Sequence, residues 1–261
     1  MEEAVEIRDI QLLSFIIVRF SGFIFLNPAL GRKNYPGVAK SALVLSLSLF
    51  VYIFQMGGSV QTAPENTTAL AYGLLLMKEF LIGAVLGFVF ELFFSVVQYA
   101  GSVIDFEMGL SMATAYDPQT NVSMSINANL YYLFMLALFF ISDSHLVFMR
   151  MILMTGKEIP FGSITIDQGL IEVCLQMFQD CMEMALRLSF PMMAIQLLTE
   201  SAVGILMKMV PQLDIFVINI QAKIGVGMFL LLFMISPVGE FVQALIGYML
   251  EAASSVLYYF T

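Results

Sequence analysis

The sequence predicts an all-α protein associated with a membrane, built from helical hairpins whose helices are kinked or broken. Two observations carry that reading. Of 261 residues, 60% are apolar and only 12% are charged, with a mean hydropathy of +0.90; soluble globular domains average about 45–50% apolar and about 25% charged. The apolar residues also fall in long runs, separated by short turns rich in Gly, Pro, Asn and Thr. Such a chain is either an integral membrane protein or a subunit buried in a membrane-bound assembly.

Ile10 to Leu26 is the first run, interrupted by Gln11, Ser14, Arg19 and Ser21 and ended by the turn from Asn27 to Gly37. Val38 to Met56 forms its hairpin partner, and the bases Arg32, Lys33 and Lys40 at the connection place that connection on the cytoplasmic side by the positive-inside bias. Arg19 lies in mid-segment, where a cation either faces a partner acid or snorkels; structural pairing is the expectation. The opening MEEAVEIRD lacks the basic region of a cleaved signal peptide, so the first apolar segment is expected to be retained.

After a Gly- and Pro-containing loop, Gly57 to Thr68, the run Ala69 to Val97 exceeds the ~20 residues needed to cross a hydrocarbon core. Glu79, Gly83, Gly87, Glu91 and Ser95 recur at every fourth position. Each step of four drifts by ~40° on a helix, so the stripe spirals slowly and suits a crossing contact with neighbouring helices. Gly83 and Gly87 form its small-xxx-small pair.

Between this run and the next lies Gly101 to Val122, GSVIDFEMGLSMATAYDPQTNV, with three acids, no base and two glycines. A polar insert in so apolar a chain marks a candidate functional element. Gly101 and Gly109 are expected to permit backbone turns, and Asp117-Pro118 favours another. Residues Gly101 to Phe106 should end the preceding helix. Methionine is unbranched and deformable, so most of the 20 methionines read as core filler, while Met108 and Met112 could form a soft seal.

Ile126 to Ile141 is the next helix, opened by Asn127 and Asn129 and broken at Ser142 to Ser144, with Leu146 to Met154 resuming; the residues leave open whether these are one helix or two. Gly169 to Phe190 carries Glu172, Gln176, Gln179, Asp180, Glu183 and Arg187 on one face, a ladder fit for water, a channel or another subunit. Glu183 and Arg187 are an i,i+4 pair in the favourable order. Pro191 interrupts the pattern and, by removing a hydrogen bond, is expected to bend the chain; Met192 to Met209 follows with Glu200 and Lys208, and Pro211-Gln212-Leu213-Asp214 stops it. Ile215 to Ile220 leads into Ile224 to Ile235, Ser236-Pro237 is expected to break the chain again, and Val238 to Phe260 follows.

Several function classes are excluded or weakened. A net charge of −9 argues against nucleic acid or anionic lipid bound through a basic patch. Cys174 and Cys181 stand seven residues apart on one helix, ~10 Å at ~1.5 Å per residue, beyond disulfide reach. A single histidine, His145, makes an ordinary zinc site untenable, and a nucleophile–histidine pair would have to use it. Neither a metal nor another cofactor is expected.

Taken in order, Glu79-x-x-x-Gly83-x-x-x-Gly87-Phe88, Gly101 with Asp105, Met108-Gly109-Leu110-Ser111-Met112-Ala113 with Asp117-Pro118, Leu138-Phe139-Phe140 before His145, Pro160, and Pro211-Gln212-Leu213 resemble the FliR/SctT family of type III secretion export-gate proteins. The flagellar branch is the nearer match, through Met108 to Ala113. Asp214 stands where the family usually has Asn, and Asp143-Ser144 stand where small, glycine-type residues often precede the histidine.

The resemblance implies a non-enzymatic subunit of a hetero-oligomeric helical export gate in the bacterial inner membrane, at the flagellar basal body, that passes unfolded substrates. It implies FliP-like and FliQ-like partners, with an FlhB-like protein beside them, and contact with membrane lipid. Residues 1–168 would be FliP-like and residues 169–261 FliQ-like. The central stretch 107–122 would plug the closed channel through Glu107, Met108, Gly109, Leu110, Ser111, Met112, Asp117 and Pro118. Helix packing and subunit contacts would fall to Glu79, Gly83, Gly87, Glu91, Glu183, Arg187, Glu200, Pro211 and Gln212. Two other classes remain open on the residues alone: an ion-coupled secondary transporter using Glu79, Glu91 and Glu200, and an intramembrane hydrolase using His145.

Overall fold

The computed structural model describes residues 2–28, 36–55, 68–110, 125–162, 167, 169–210 and 215–260. Among the described residues, seven α-helices follow in chain order: α1 Glu2–Leu26, α2 Gly37–Gln55, α3 Ala69–Glu107, α4 Ile126–Ile141, α5 Ser144–Glu158, α6 Gly169–Met209 and α7 Ile215–Leu257, with a 3₁₀ turn at Tyr258–Phe260. No strand occurs among the described residues. Four of these helices are long and apolar enough to cross a membrane.

The chain divides into two compact units. The first comprises Met1–Leu92, Asp143–Met177 and Tyr248–Thr261. Here α1 and α3 touch backbone to backbone. A Cβ on Gly83 would overlap the carbonyl of Arg19, one on Gly22 would overlap that of Phe80, and one on Gly87 would come within 2.8 Å of the Leu26 Cβ. Absence of side chains at these points allows the close crossing, and the stripe read from the sequence is its cause. Phe23 and Phe90 then close on Phe148 of α5, at centroid distances of 4.7 Å and 3.6 Å, over a core that includes Phe15, Ile16, Phe20, Ile82 and Leu86.

The second unit comprises Phe93–Ser142 and Phe178–Gly247. Phe94 of α3 packs on Tyr132 and Phe139 of α4 at 5.6 Å and 6.1 Å. A Cβ on Gly101 would meet the backbone of Ala128 at 2.5 Å. Gly101 is therefore an approach point inside α3, not a turn, and the helix runs past the end of the apolar run at Val97 to Glu107, one residue beyond the stretch Gly101 to Phe106 expected to end it. Gly109 does supply a turn: its φ is +75°, and its N–H bonds the Phe106 carbonyl at 3.1 Å, a left-handed glycine just past a helix end.

One expected break, at Ser236-Pro237, is absent. Helix α6 continues through Pro191 and α7 through Pro237. A proline deletes one backbone hydrogen bond and costs about 3 kcal/mol, and in helices of 41 and 43 residues the bonds before and after it hold the element together. At Ser142 to Ser144 the expected break is real and separates α4 from α5. Asp143 has φ 55° and ψ 14°, the left-handed conformation that glycine adopts without steric cost and aspartate tolerates.

Candidate functional site

Two buried polar centres sit on α3, and each ties that helix to other parts of its own unit. In the first unit Arg19 of α1 is buried in mid-helix. Its Nε donates to Glu79 Oε2 at 2.6 Å, while Nη1 donates to the carbonyls of Ile159 at 3.1 Å and Thr155 at 3.3 Å. The guanidinium also lies 4.1 Å from the Phe161 ring centroid, within cation–π range. Glu79 is completely buried, and its second oxygen accepts the Gly162 N–H at 2.8 Å. Removing a charge from water costs several kcal/mol, so a buried pair must be closely matched and otherwise hydrogen-bonded to persist. This one is both. Arg19 thus faces a partner acid, and Glu79 is committed to a cation and a backbone amide.

The second centre lies at the end of α3. Asp105, buried, accepts the Asn127 backbone N–H at 3.0 Å, the Asn127 Nδ2 at 2.5 Å and the Ser125 hydroxyl. Ser125 is the N-cap of α4, and its own Oγ accepts the Ala128 N–H at 3.4 Å. The first N–H groups of a helix have no partner inside it. Here one is satisfied by an acid from another helix, placed at the positive end of the α4 dipole. One turn beyond Asp105, Met108 is fully buried and its sulfur accepts from Asn127 Nδ2 at 3.8 Å. Gly227 of α7 leaves room for it: a Cβ there would lie 2.6 Å from the Met108 methyl and 2.9 Å from Gln196 Nε2. Gln196 is itself buried in α6 and donates to the Lys223 carbonyl at 3.0 Å.

The residues expected to form the central element therefore divide. Glu107 ends α3, Met108 is held inside the fold, Gly109 turns the chain and Leu110 follows. Ser111, Met112, Asp117 and Pro118 lie outside the described residues, as do Pro211 and Gln212. Ser125 and Asn127, the partners of Asp105, were not singled out as functional; a Ser followed by a polar residue in the first helical turn is the capping signal that points to them.

On α6 the ladder Glu172, Gln176, Gln179, Asp180, Glu183 and Arg187 is exposed along its length. Arg187 bonds Glu183 at 2.6 Å. Glu91 is exposed on α3, consistent with the drift that carries it off the Gly83–Gly87 face. Exposed Glu200 meets Lys223 Nζ at 3.3 Å. Of the residues expected to pack, Gly83, Gly87 and Glu79 do so within the chain, while Glu91, Glu183, Arg187 and Glu200 face outwards.

Around these centres the chain leaves a large apolar surface uncovered, including Leu197, Leu198, Ile205 and Met209 on α6 and Phe229, Leu232, Phe233 and Ile235 on α7. The sequence pattern of bacterial export proteins, family 1, matches residues 10–249. The chain belongs to that family. Flagellar biosynthetic protein FliR of Bacillus subtilis (strain 168) is 28% identical over 98% of this chain and 98% of its own length. The Escherichia coli (strain K12) protein of the same name is 25% identical over 90% of this chain and 88% of its own. Yop proteins translocation protein T of Yersinia pestis is 23% identical over 86% and 85%. The FliR/SctT resemblance read from the motifs is thereby confirmed, and the two buried centres are features of an export protein.

Proposed function

We propose that this export protein is a structural, non-catalytic subunit of a type III export gate of the flagellar branch, set in the bacterial inner membrane at the flagellar basal body. The observation that carries the reading is the family match across residues 10–249. The uncovered apolar faces of α6 and α7 support it, since a contiguous apolar surface of this kind is normally covered by lipid or by another subunit. In this reading residues 1–168 are FliP-like and residues 169–261 FliQ-like. Partners of those two kinds, and an FlhB-like protein, complete the channel for unfolded substrates, and residues 107–122 block it when closed.

The ion-coupled transporter is the weaker reading. It needs carboxylates able to exchange a proton or cation, whereas Glu79 is held by Arg19 and Gly162 and Glu200 by Lys223. Purification separates the two: a gate subunit comes out with FliP-like and FliQ-like proteins, a transporter as a monomer or homo-oligomer. The plug is tested by deleting residues 111–121, which spares the buried Met108 and the Gly109 turn. Ion leakage through the assembled gate should rise; unchanged conductance refutes the plug.

A further inference from the structure

We infer that Asp105 is the positioning residue of the central stretch, a latch that holds its point of departure and its point of return together. The inference rests on the plug reading and adds the device that fixes the plug's base. Met108 to Leu110 stand on one side of the central stretch in sequence and Ser125 on the other. Across that interval one carboxylate gathers three donors from the returning end: the Ser125 hydroxyl, the Asn127 backbone N–H and the Asn127 side-chain amide. Asn127 also reaches Met108, so the departing turn and the returning turn share one hydrogen-bonded cluster.

The choice of residue is informative. The Ser125 side chain caps only the Ala128 N–H, so Asp105 supplies the acceptor for the Asn127 N–H and for two side-chain donors as well. A buried carboxylate is costly unless several donors converge on it, and all three of the donors named here come from the far side of the central stretch. The energy of the cluster therefore depends on that stretch returning to where it began. Met108 adds a second hold, inserted beside Gly227 and Gln196. Cutting the Asp105 contacts should free the base while leaving the helix interiors intact.

The experiment compares the assembled gate in wild-type form with Asp105→Ala, Asp105→Asn, Ser125→Ala and the 111–121 deletion. Two readings are taken: ion leak across the membrane, and amide hydrogen exchange at the start of α4. Asp105→Ala should accelerate exchange at Asn127 about tenfold or more, the factor that loss of one hydrogen bond to a charged group represents. It should also raise leak toward that of the deletion. Asp105→Asn, which keeps one acceptor oxygen, should fall between, and Asp105→Ala combined with the deletion should leak no more than the deletion alone. Unchanged exchange in Asp105→Ala overturns the latch. Faster exchange without leak, in a gate that the deletion does make leaky, overturns the positioning role. If the deletion itself does not leak, the plug reading fails and the positioning role fails with it, while exchange still reports whether the anchor exists. Should Asp105→Ala not assemble, Ser125→Ala removes one donor and gives the same readings at smaller amplitude.

Discussion

Two carboxylates on α3 are buried almost equally, Glu79 completely and Asp105 at 1% exposure, yet they are satisfied in opposite ways. Glu79 is matched by a charge, Arg19, from a helix 60 residues away in sequence. Asp105 is matched by neutral donors from the first turn of the next helix. Loss of Glu79 leaves a buried cation with no counter-charge. Loss of Asp105 leaves only polar groups short of a partner. The first arrangement locks packed helices together; the second joins two helix ends through neutral donors.

Acid-to-amide substitution at three sites sharpens this contrast, with stability read from thermal unfolding of the purified protein. Glu79→Gln strands the Arg19 guanidinium and should cost about 3–5 kcal/mol. Adding Arg19→Met should recover part of that loss but not all of it, because the Ile159 carbonyl loses the Arg19 donor and the Thr155 carbonyl keeps only the Ile159 N–H. Equal losses in the single and double variants would show that hydrogen bonds, and not charge, hold this centre.

Asp105→Asn strands no charge and should cost about 1–3 kcal/mol, the penalty for buried donors left without acceptors. A loss as large as that of Glu79→Gln would erase the distinction between lock and latch. The control is Glu183→Gln, on an exposed i,i+4 pair with Arg187. There solvent and salt screen the interaction, and the change should be at most about 0.5 kcal/mol.

The sequence made the scaffold legible because its signals are local. Apolar runs, the Ser142 to Ser144 break and the Glu79–Gly83–Gly87 stripe all follow from residues within a few turns of each other, and the helices lie where those runs place them. The family motifs were legible for the same reason. Gly101 was misread because glycine has two uses, turning a chain and allowing close approach, and only the backbone of Ala128 beside it distinguishes them. Pro237 was misread because a proline's cost is local while a long helix is held by all its other hydrogen bonds.

By itself, then, the sequence determined an all-α, membrane-associated export protein, the order of its helices and the polar stretch between them. Tertiary structure decided which acid meets which donor. Arg19 bonds residues 60, 136 and 140 positions away, and Asp105 bonds residues 20 and 22 positions away across a stretch of chain. Helical periodicity fixes which face a side chain occupies, but a partner on another helix is fixed by how the helices pack. In this protein packing set Glu79 against Arg19, Asp105 against Ser125 and Asn127, and Met108 in the interior.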